Sequence, residues 1–444
     1  MVKESTDVAV ANHEIVMEEG QRYSCTDCPA RCCRAPWKID VSAEERERLL
    51  AVPWIAEHMA KHDIDFLTAG KDYRMPRVKL PWGGYGCVFL GEDHRCTIHN
   101  KEGHDILPAT CKIYPFGEFV GDYPAEGEDR PAKIYPVTSF FCRSIAHNYG
   151  EPLPTFMENK LAEFLGHRKI QRLPDTITLG GVTLGKSSYL ALGDVMQDFF
   201  ACEEWTIPQA LLQGRRLIWK VMMAVHAQQD VSPEGIRDMA ASLSEMERRH
   251  VPEAVPQTLT GRAISAIDLL PFVIFDIVQE ECLKNKNGSV GLSILFIRVV
   301  LDLINNKGSY EVWNLERPVD MAEAAKIELN EHEPAFQKEL RHYYRQLFAN
   351  RRLFLRDSDF LKTYFQLGAS YAQILKVARW MAYAEGETVV GARHILDAAS
   401  YVDIRVSSVK TMADTPIEKL TNIINDILSA REDSFLRVML AESY

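Results

Sequence analysis

The chain has 444 residues, 46% hydrophobic and 25% charged, which is an ordinary globular composition with room for two or three domains of about 150 residues each. A formal net charge of −11, with Lys and Arg scattered along the chain, excludes the basic face of a general nucleic-acid binder. The opening residues Met1 to Asp7 are polar and lead into no apolar run, so no secretory leader is expected.

The first 20 residues read as a polar lead-in. Then comes Cys25-Thr26-Asp27-Cys28-Pro29-Ala30-Arg31-Cys32-Cys33, the densest thiol stretch of the chain. Trp37-Lys38-Ile39-Asp40-Val41 alternates as a strand would, and Ser42-Ala43-Glu44-Glu45 has the spacing of a capping box that opens a helix running to about Leu50. Residues 72–95 are turn-rich. Cys87-Val88-Phe89-Leu90 and Cys96-Thr97-Ile98 read as a hairpin around Gly91 to His94, and 111–116 and 133–137 as further extended pieces.

The texture changes near Leu153. Helical periodicity appears at 155–165, followed by a β-like patch at 176–184 around Gly180-Gly181. From Ser188 onward nearly everything is helical, with apolar spacing at 261–284, 291–306, 331–348, 360–385 and 415–430 and a clear start at Ser232-Pro233-Glu234. The most apolar stretches, 264–278 and 290–304, are broken by Asp268, Asp276, Arg298 and Asp302, so no membrane span is expected and a cytoplasmic address follows. The expected fold class is α+β. A small, loop-rich cysteine domain (1–150) leads through a connecting segment with a hairpin (151–187) to a larger all-α domain (188–444).

In a cytoplasmic chain, clustered cysteines read as metal ligands rather than disulfides. Cys25 and Cys28 have the two-residue gap that lets one turn point both sulfurs at one metal. Cys32 follows, and the expected hairpin places Cys87 beside Cys96. The neighbours Cys32 and Cys33 point to opposite faces of an extended segment and so serve different partners. With Cys111 and Cys142, eight thiols can make two four-coordinate sites, or one cluster plus a structural metal or uncommitted thiols. Four-thiolate ligation allows zinc and iron–sulfur alike. The spacing matches neither the usual radical S-adenosylmethionine signature nor a ferredoxin run. His94, His99 and His104 read as supporting residues, Cys202 and Cys282 as small core residues, and Trp37 and Trp82 as shields of the core or cluster. Tyr114 and Tyr135 read as packing on the thiol loops. Glu331 to Glu333 reads as a solvated helix start, and Tyr343, Tyr344 and Phe348 as a packed helix interface.

At these residues the sequence resembles the YkgJ-like cysteine-cluster proteins, described as zinc- or iron-chelating, and most closely their flagellin lysine-N-methylase branch. The resemblance rests on Cys25-x2-Cys28-x3-Cys32-Cys33 with Trp37-Lys38-Ile39, and on Cys87-x8-Cys96. Its most specific stretch is Cys96-x-Ile98-x4-Gly103-x3-Leu107-x2-Thr110-Cys111-x2-Tyr114-Pro115. It departs at Pro115-Phe116, where the family has Pro-Arg, and at Phe141-Cys142-Arg143-Ser144, where the family has Ser-Cys-Pro-Glu. The resemblance implies an iron–sulfur cluster (the four-iron four-sulfur form favoured) or zinc held by Cys25, Cys28, Cys32, Cys33, Cys87, Cys96, Cys111 and Cys142. It also implies a protein partner such as flagellin and, if the chain is a methylase, S-adenosylmethionine. No glycine-rich cofactor loop is evident, since Gly180 to Gly185 reads as a hairpin turn. The competing expectation is a redox or metal carrier, or a zinc-stapled interaction module with a helical docking surface.

Overall fold

The computed structural model describes residues 13–247 and 298–407 together with 266, 269, 435, 439 and 440, apart from 19, 26–29, 36–38, 70–71, 81–84, 158–169, 313–314, 316, 331 and 356–358. Cys28, Trp37, Trp82, Cys282 and Glu331 lie outside the described residues. So do the expected helix at 415–430, most of those at 261–284 and 155–165, and the first part of that at 291–306.

The fold mixes helix and strand throughout the described chain. The strands among the described residues are β1 (His13–Ile15), β2 (Arg22–Tyr23), β3 (Asp40–Val41), β4 (Leu67–Ala69), β5 (Asp72–Arg74), β6 (Arg77–Lys79), β7 (Tyr85–Cys87), β8 (Phe116–Asp122), β9 (Ala132–Thr138), β10 (Glu151–Pro152), β11 (Ile170–Arg172), β12 (Thr176–Leu179), β13 (Val182–Gly185), β14 (Ser309–Tyr310) and β15 (Val319–Asp320). The helices of the front part are α1 (Arg31–Arg34), α2 (Ala43–Leu50), α3 (Pro53–Lys61), α4 (Thr97–Glu102), α5 (Ala109–Ile113) and α6 (Arg143–His147). Those of the remainder are α7 (Lys186–Ala201), α8 (Ile207–His226), α9 (Pro233–Glu247), α10 (Met321–Ala324), α11 (Pro334–Ala349), α12 (Phe360–Glu385) and α13 (Ala392–Ser407).

Local chemistry sets many of the boundaries. Ser42 and Glu45 close the capping box of α2: Glu45 N–H donates to Ser42 Oγ (3.1 Å) and Ser42 N–H to Glu45 Oε2 (2.8 Å). Thr206 and Gln209 do the same for α8. Pro233 starts α9, where Gly235 N–H donates to Ser232 Oγ at 3.2 Å. Gly386, at φ 81°, ends α12 in the left-handed region that glycine enters without steric cost.

Two apolar cores form. The smaller is drawn from residues 30–107 and includes Leu49, Ile55, Phe89 and Ile98, all fully or nearly fully buried. The larger joins the sheet residues Phe116, Phe119 and Ile134 to the helices, with α12 at its centre: Tyr364, Tyr371 and Trp380 are among its largest fully buried side chains. Its sheet runs β1-β9-β8-β11, with β8 and β9 antiparallel and the two outer strands parallel to their neighbours. Asp122 at the end of β8 is buried and receives Lys186 of α7 (2.5 Å) and Arg130 (3.2 Å), which ties the sheet to the helices. Tyr343, Tyr344 and Phe348 of α11 are buried in ring contacts, Phe200 stacking on Tyr344, as the packed helix interface requires.

The Gly180-Gly181 turn is a β-hairpin turn. Leu179 pairs with Val182 across it, and both glycines have positive φ (57° and 85°), the geometry of a two-residue hairpin loop. Asp359, distant in sequence, holds the turn. Its carboxylate accepts from Gly180 N–H (2.7 Å) and Gly181 N–H (3.0 Å), and from Leu361 N–H (2.9 Å) as the N-cap of α12. One side chain thus satisfies three backbone donors that nothing within their own elements could satisfy. Asp359→Ala is expected to cost about 1–2 kcal/mol, read as a lower urea midpoint at unchanged slope.

Candidate functional site

The thiols are brought together by short helices and single backbone contacts, with little regular sheet. Cys32 and Cys33 occupy α1, which starts from Ala30 in the left-handed region (φ 43°). The carbonyls at the end of α1 are taken by Arg77 of β6, which donates to Ala35 O (2.5 Å) and Arg34 O (3.0 Å). Arg77 pairs with Cys87 in the β6–β7 register, so one arginine joins the Cys32-Cys33 turn to the strand that carries Cys87.

The hairpin expected between Cys87 and Ile98 forms only as a tight turn. Leu90 bridges Cys96, and Gly91 N–H donates to Arg95 O at 2.8 Å. The second arm is not a strand. Cys96 is the N-cap of α4, and Thr97 to Glu102 continue as helix until Gly103. The residues around Cys111 likewise form helix α5 rather than an extended piece. Pro108 stands at its N-cap, and Glu45 Oε1 accepts from Ala109 N–H at 2.6 Å. Glu45 therefore serves two helices: with one oxygen it caps α2, and with the other it anchors the start of the Cys111 helix.

Cys142 and the segment that leads into Cys25 are tied elsewhere. Cys142 is the buried N-cap of α6. Ser144 Oγ, two residues on, accepts from Ser24 N–H (2.7 Å) and donates to Tyr149 O (2.8 Å), pinning the segment that leads into Cys25. Tyr23 is paired with Glu151 of β10, and its hydroxyl donates to Tyr114 O at 3.2 Å.

Charge shows how tightly the sulfurs crowd. Hydrogen bonding with Cys32, Cys87 and Cys96, reinforced by burial, holds the Cys33 thiol well above the ordinary range. Its partner Cys96 moves the other way, to about 7, because the Cys33 hydrogen bond and the amides of His99 and Ile98 outweigh burial. Cys111 is raised by burial and then by the neighbouring sulfurs of Cys32, Cys87 and Cys96. The Tyr23 hydroxyl is raised by burial and then by Cys25 and Cys142. The thiols stand as neighbours rather than as a finished coordination cage: among the described residues no three His, Cys, Asp or Glu side chains form a ready-made metal group.

Several sequence candidates lie apart from the sulfurs or play lesser parts. His94 accepts from the Arg34 guanidinium through Nδ1 and lies in the turn between Cys87 and Cys96. His99 and His104 face each other with ring centroids 6.0 Å apart. Tyr135 packs under the Arg351 guanidinium (5.6 Å) in the larger core, not on the thiol loops. Cys202 is the C-cap of α7 and only half-buried, so the small-core-residue expectation gives way there.

Sequence reasoning missed Tyr23, Arg77 and Asp397. Asp397 on α13 forms an ion pair with Arg31 (2.5 Å) and accepts from His147 Nε2 (3.3 Å). The thiol helix α1 is thereby fastened to the helical part of the chain. Burial alone would push Asp397 up, but His147 and Arg31 outweigh it and hold the carboxyl at about 2.

No family model matches the chain, and no solved structure matches it. A lysine-N-methylase of Salmonella typhimurium is 27% identical over 96 residues, 21% of this chain and 24% of that protein. The flagellar biosynthetic protein FliU of Salmonella muenchen is 26% identical over 95 residues, 21% of this chain and 56% of that protein. The chain thus matches about a quarter of one relative's length and just over half of the other's.

The Asp397 carboxyl has a lower value folded than its ordinary 3.8, so its contribution is complete above about pH 4 and is lost as pH falls toward 2. Asp397→Asn is expected to lower stability by on the order of 2 kcal/mol at neutral pH in urea titrations. The gap from the unsubstituted chain should narrow below about pH 4. A gap independent of pH would assign the effect to something other than the carboxylate charge.

Proposed function

We propose that the chain is a thiolate metalloprotein that acts on another protein, with lysine N-methylation of flagellin or a similar partner as its reaction. The observation that carries the metal half is the crowding around Cys33. Cys33 and Cys87 are buried in the smaller core with Cys32, Cys96 and Cys111 packed against it, and thiols so placed cannot all ionise together without a cation to balance them. A soft metal or an iron–sulfur cluster meets that requirement, because thiolate is its preferred donor and its charge removes the mutual repulsion.

The residues that would hold such a group are Cys33, Cys87, Cys96 and Cys111, with Cys32 beside them. Arg77 and Glu45 fix the three backbone segments that carry most of these sulfurs. Bound iron–sulfur would supply one-electron chemistry, and bound zinc a structural staple.

The methylase half rests on the two relatives, one named a lysine-N-methylase and the other a flagellar biosynthetic protein. S-adenosylmethionine would then be the methyl donor. The Gly180-Gly181 amides are not its site, because Asp359 already occupies them. The target lysine must lose its proton before it can attack, which calls for a desolvated or carboxylate-lined approach to the methyl group.

Anaerobic purification followed by metal analysis and an absorption spectrum tests the first half. The expected result is a brown protein with iron and sulfide, while a colourless protein with stoichiometric zinc would make the staple reading the better one. Incubation of the loaded protein with S-adenosylmethionine and flagellin tests the second half. The expected result is a flagellin mass increased by whole methyl groups on lysine. A loaded protein that leaves every offered partner unchanged in mass would favour a metal or electron carrier.

A further inference from the structure

We infer that the outward face of α8 is a docking surface for an acidic, amphipathic helical segment of a partner protein. The inference goes beyond the reaction proposed above and stands whether or not that reaction takes place.

Helix α8 has two unlike faces. Leu211, Leu217, Ile218, Val221 and Met222 are buried in the larger core. A helix seated in this way is expected to turn polar residues to the other side. Here the other side carries Trp219, 47% exposed, and Met223, 51% exposed. They stand four residues apart, so one turn of helix brings their side chains together. The other exposed large apolar side chains among the described residues, Leu67, Leu301 and Val389, lie on separate segments. Those are the scattered kind that any surface carries, whereas Trp219 and Met223 form a patch.

The patch is also held ready. The guanidinium of Arg215, itself 1% exposed, lies 5.8 Å from the Trp219 ring centroid. A buried cation against the indole restrains the ring while nearly half of the side chain stays open to solvent. Trp, Met and Arg are residues that protein interfaces concentrate, and Trp in particular supplies the anchors that dominate binding energy.

Charge selects the partner. The chain carries a net −11, yet the twenty residues of α8 hold Arg215, Arg216, Lys220 and His226 and no Asp or Glu. Arg216, Trp219, Lys220, Met223 and His226 fall at the spacing of a single helix face. Lys220 Nζ donates to Ser242 Oγ of α9 at 2.9 Å. That partner is neutral, and among the described residues no carboxylate meets the ammonium, so its charge remains to be matched. Two apolar anchors rimmed by cations fit a helix with apolar residues one turn apart and Asp or Glu beside them. A second copy of the same face would set like charge against like. A lipid surface fits less well, because anionic headgroups would repel the acidic remainder of the chain.

The test uses the full chain and a fluorescein-labelled synthetic peptide with leucines at helical spacing flanked by glutamates. A second peptide replaces every glutamate by lysine. Fluorescence anisotropy is expected to show the acidic peptide binding at least about tenfold more tightly than the basic one, and more weakly as salt rises. Trp219→Ala and Lys220→Glu should each weaken the acidic peptide about tenfold, at unchanged urea midpoint. Lys220→Arg keeps the charge, Ser242→Ala removes only the hydrogen bond, and Leu67→Ala alters an exposed apolar residue of β4, so all three should bind as the wild type does. Equal binding of the two peptides, binding of neither, or a loss shared by Leu67→Ala would overturn the inference. Sedimentation with phosphatidylglycerol vesicles that Trp219→Ala abolishes, without peptide binding, would overturn it in favour of a membrane. A dimer that Trp219→Ala splits, again without peptide binding, would overturn it in favour of a second copy.

Discussion

Sulfur atoms that share one small volume cannot all carry charge, and most of the front part of this molecule is arranged around that constraint. Hydrogen bonding with Cys32, Cys87 and Cys96 pushes the Cys33 thiol up, while the bond with Cys33 and the amides of His99 and Ile98 bring Cys96 down. Such an arrangement is costly in an isolated chain, since burying thiolates without a counter-charge opposes folding. The surrounding structure answers with short helices, tight turns and arginines. Arg31, Arg34 and Arg77 all lie on or against the thiol helix.

The remainder of the chain acts as a frame for that region. Arg31 reaches Asp397 on α13, and Phe140 N–H donates to Asp403 on the same helix at 2.9 Å. Glu18 meets Arg345 of α11 at 3.0 Å, and Arg352 meets Glu118 of β8 at 3.1 Å. Half-buried ion pairs of this kind add little net stability, because desolvation consumes most of the Coulomb gain, but a partner left alone is expensive. Their value here is positional: they fix which face of the helices the thiol segment rests against.

Local chemistry was legible in the sequence wherever it was self-contained. The Ser42–Glu45 capping box, the Ser232-Pro233 helix start and the Gly180-Gly181 hairpin each depend on residues a few positions apart, and each forms. The closeness of Cys87 and Cys96 was legible too, although the reason given for it was not. Thr97 and Ile98 are β-branched and suggest a strand, but Cys96 at the N-cap and Gly103 at the far end delimit a helix turn. Long-range pairings left no local trace. Nothing near Arg31 announces Asp397, and nothing near Phe119 announces that Ile170 will run parallel beside it. Tyr23 could have been found, as an aromatic hydroxyl two residues before the first cysteine. Arg77 could not, because its role is to take carbonyls that become available only once α1 has formed.

The clasp between the leading arm and α11 has a consequence for how the molecule is made. Gln346 donates to Glu18 across 328 positions of sequence. On a ribosome adding about 5–20 residues per second, the arm emerges tens of seconds before the helix that will hold it. Asp397 follows later still. Throughout that interval the cysteine-bearing stretch is already outside the exit tunnel while the helices that Glu18 and Arg31 will meet have yet to be translated.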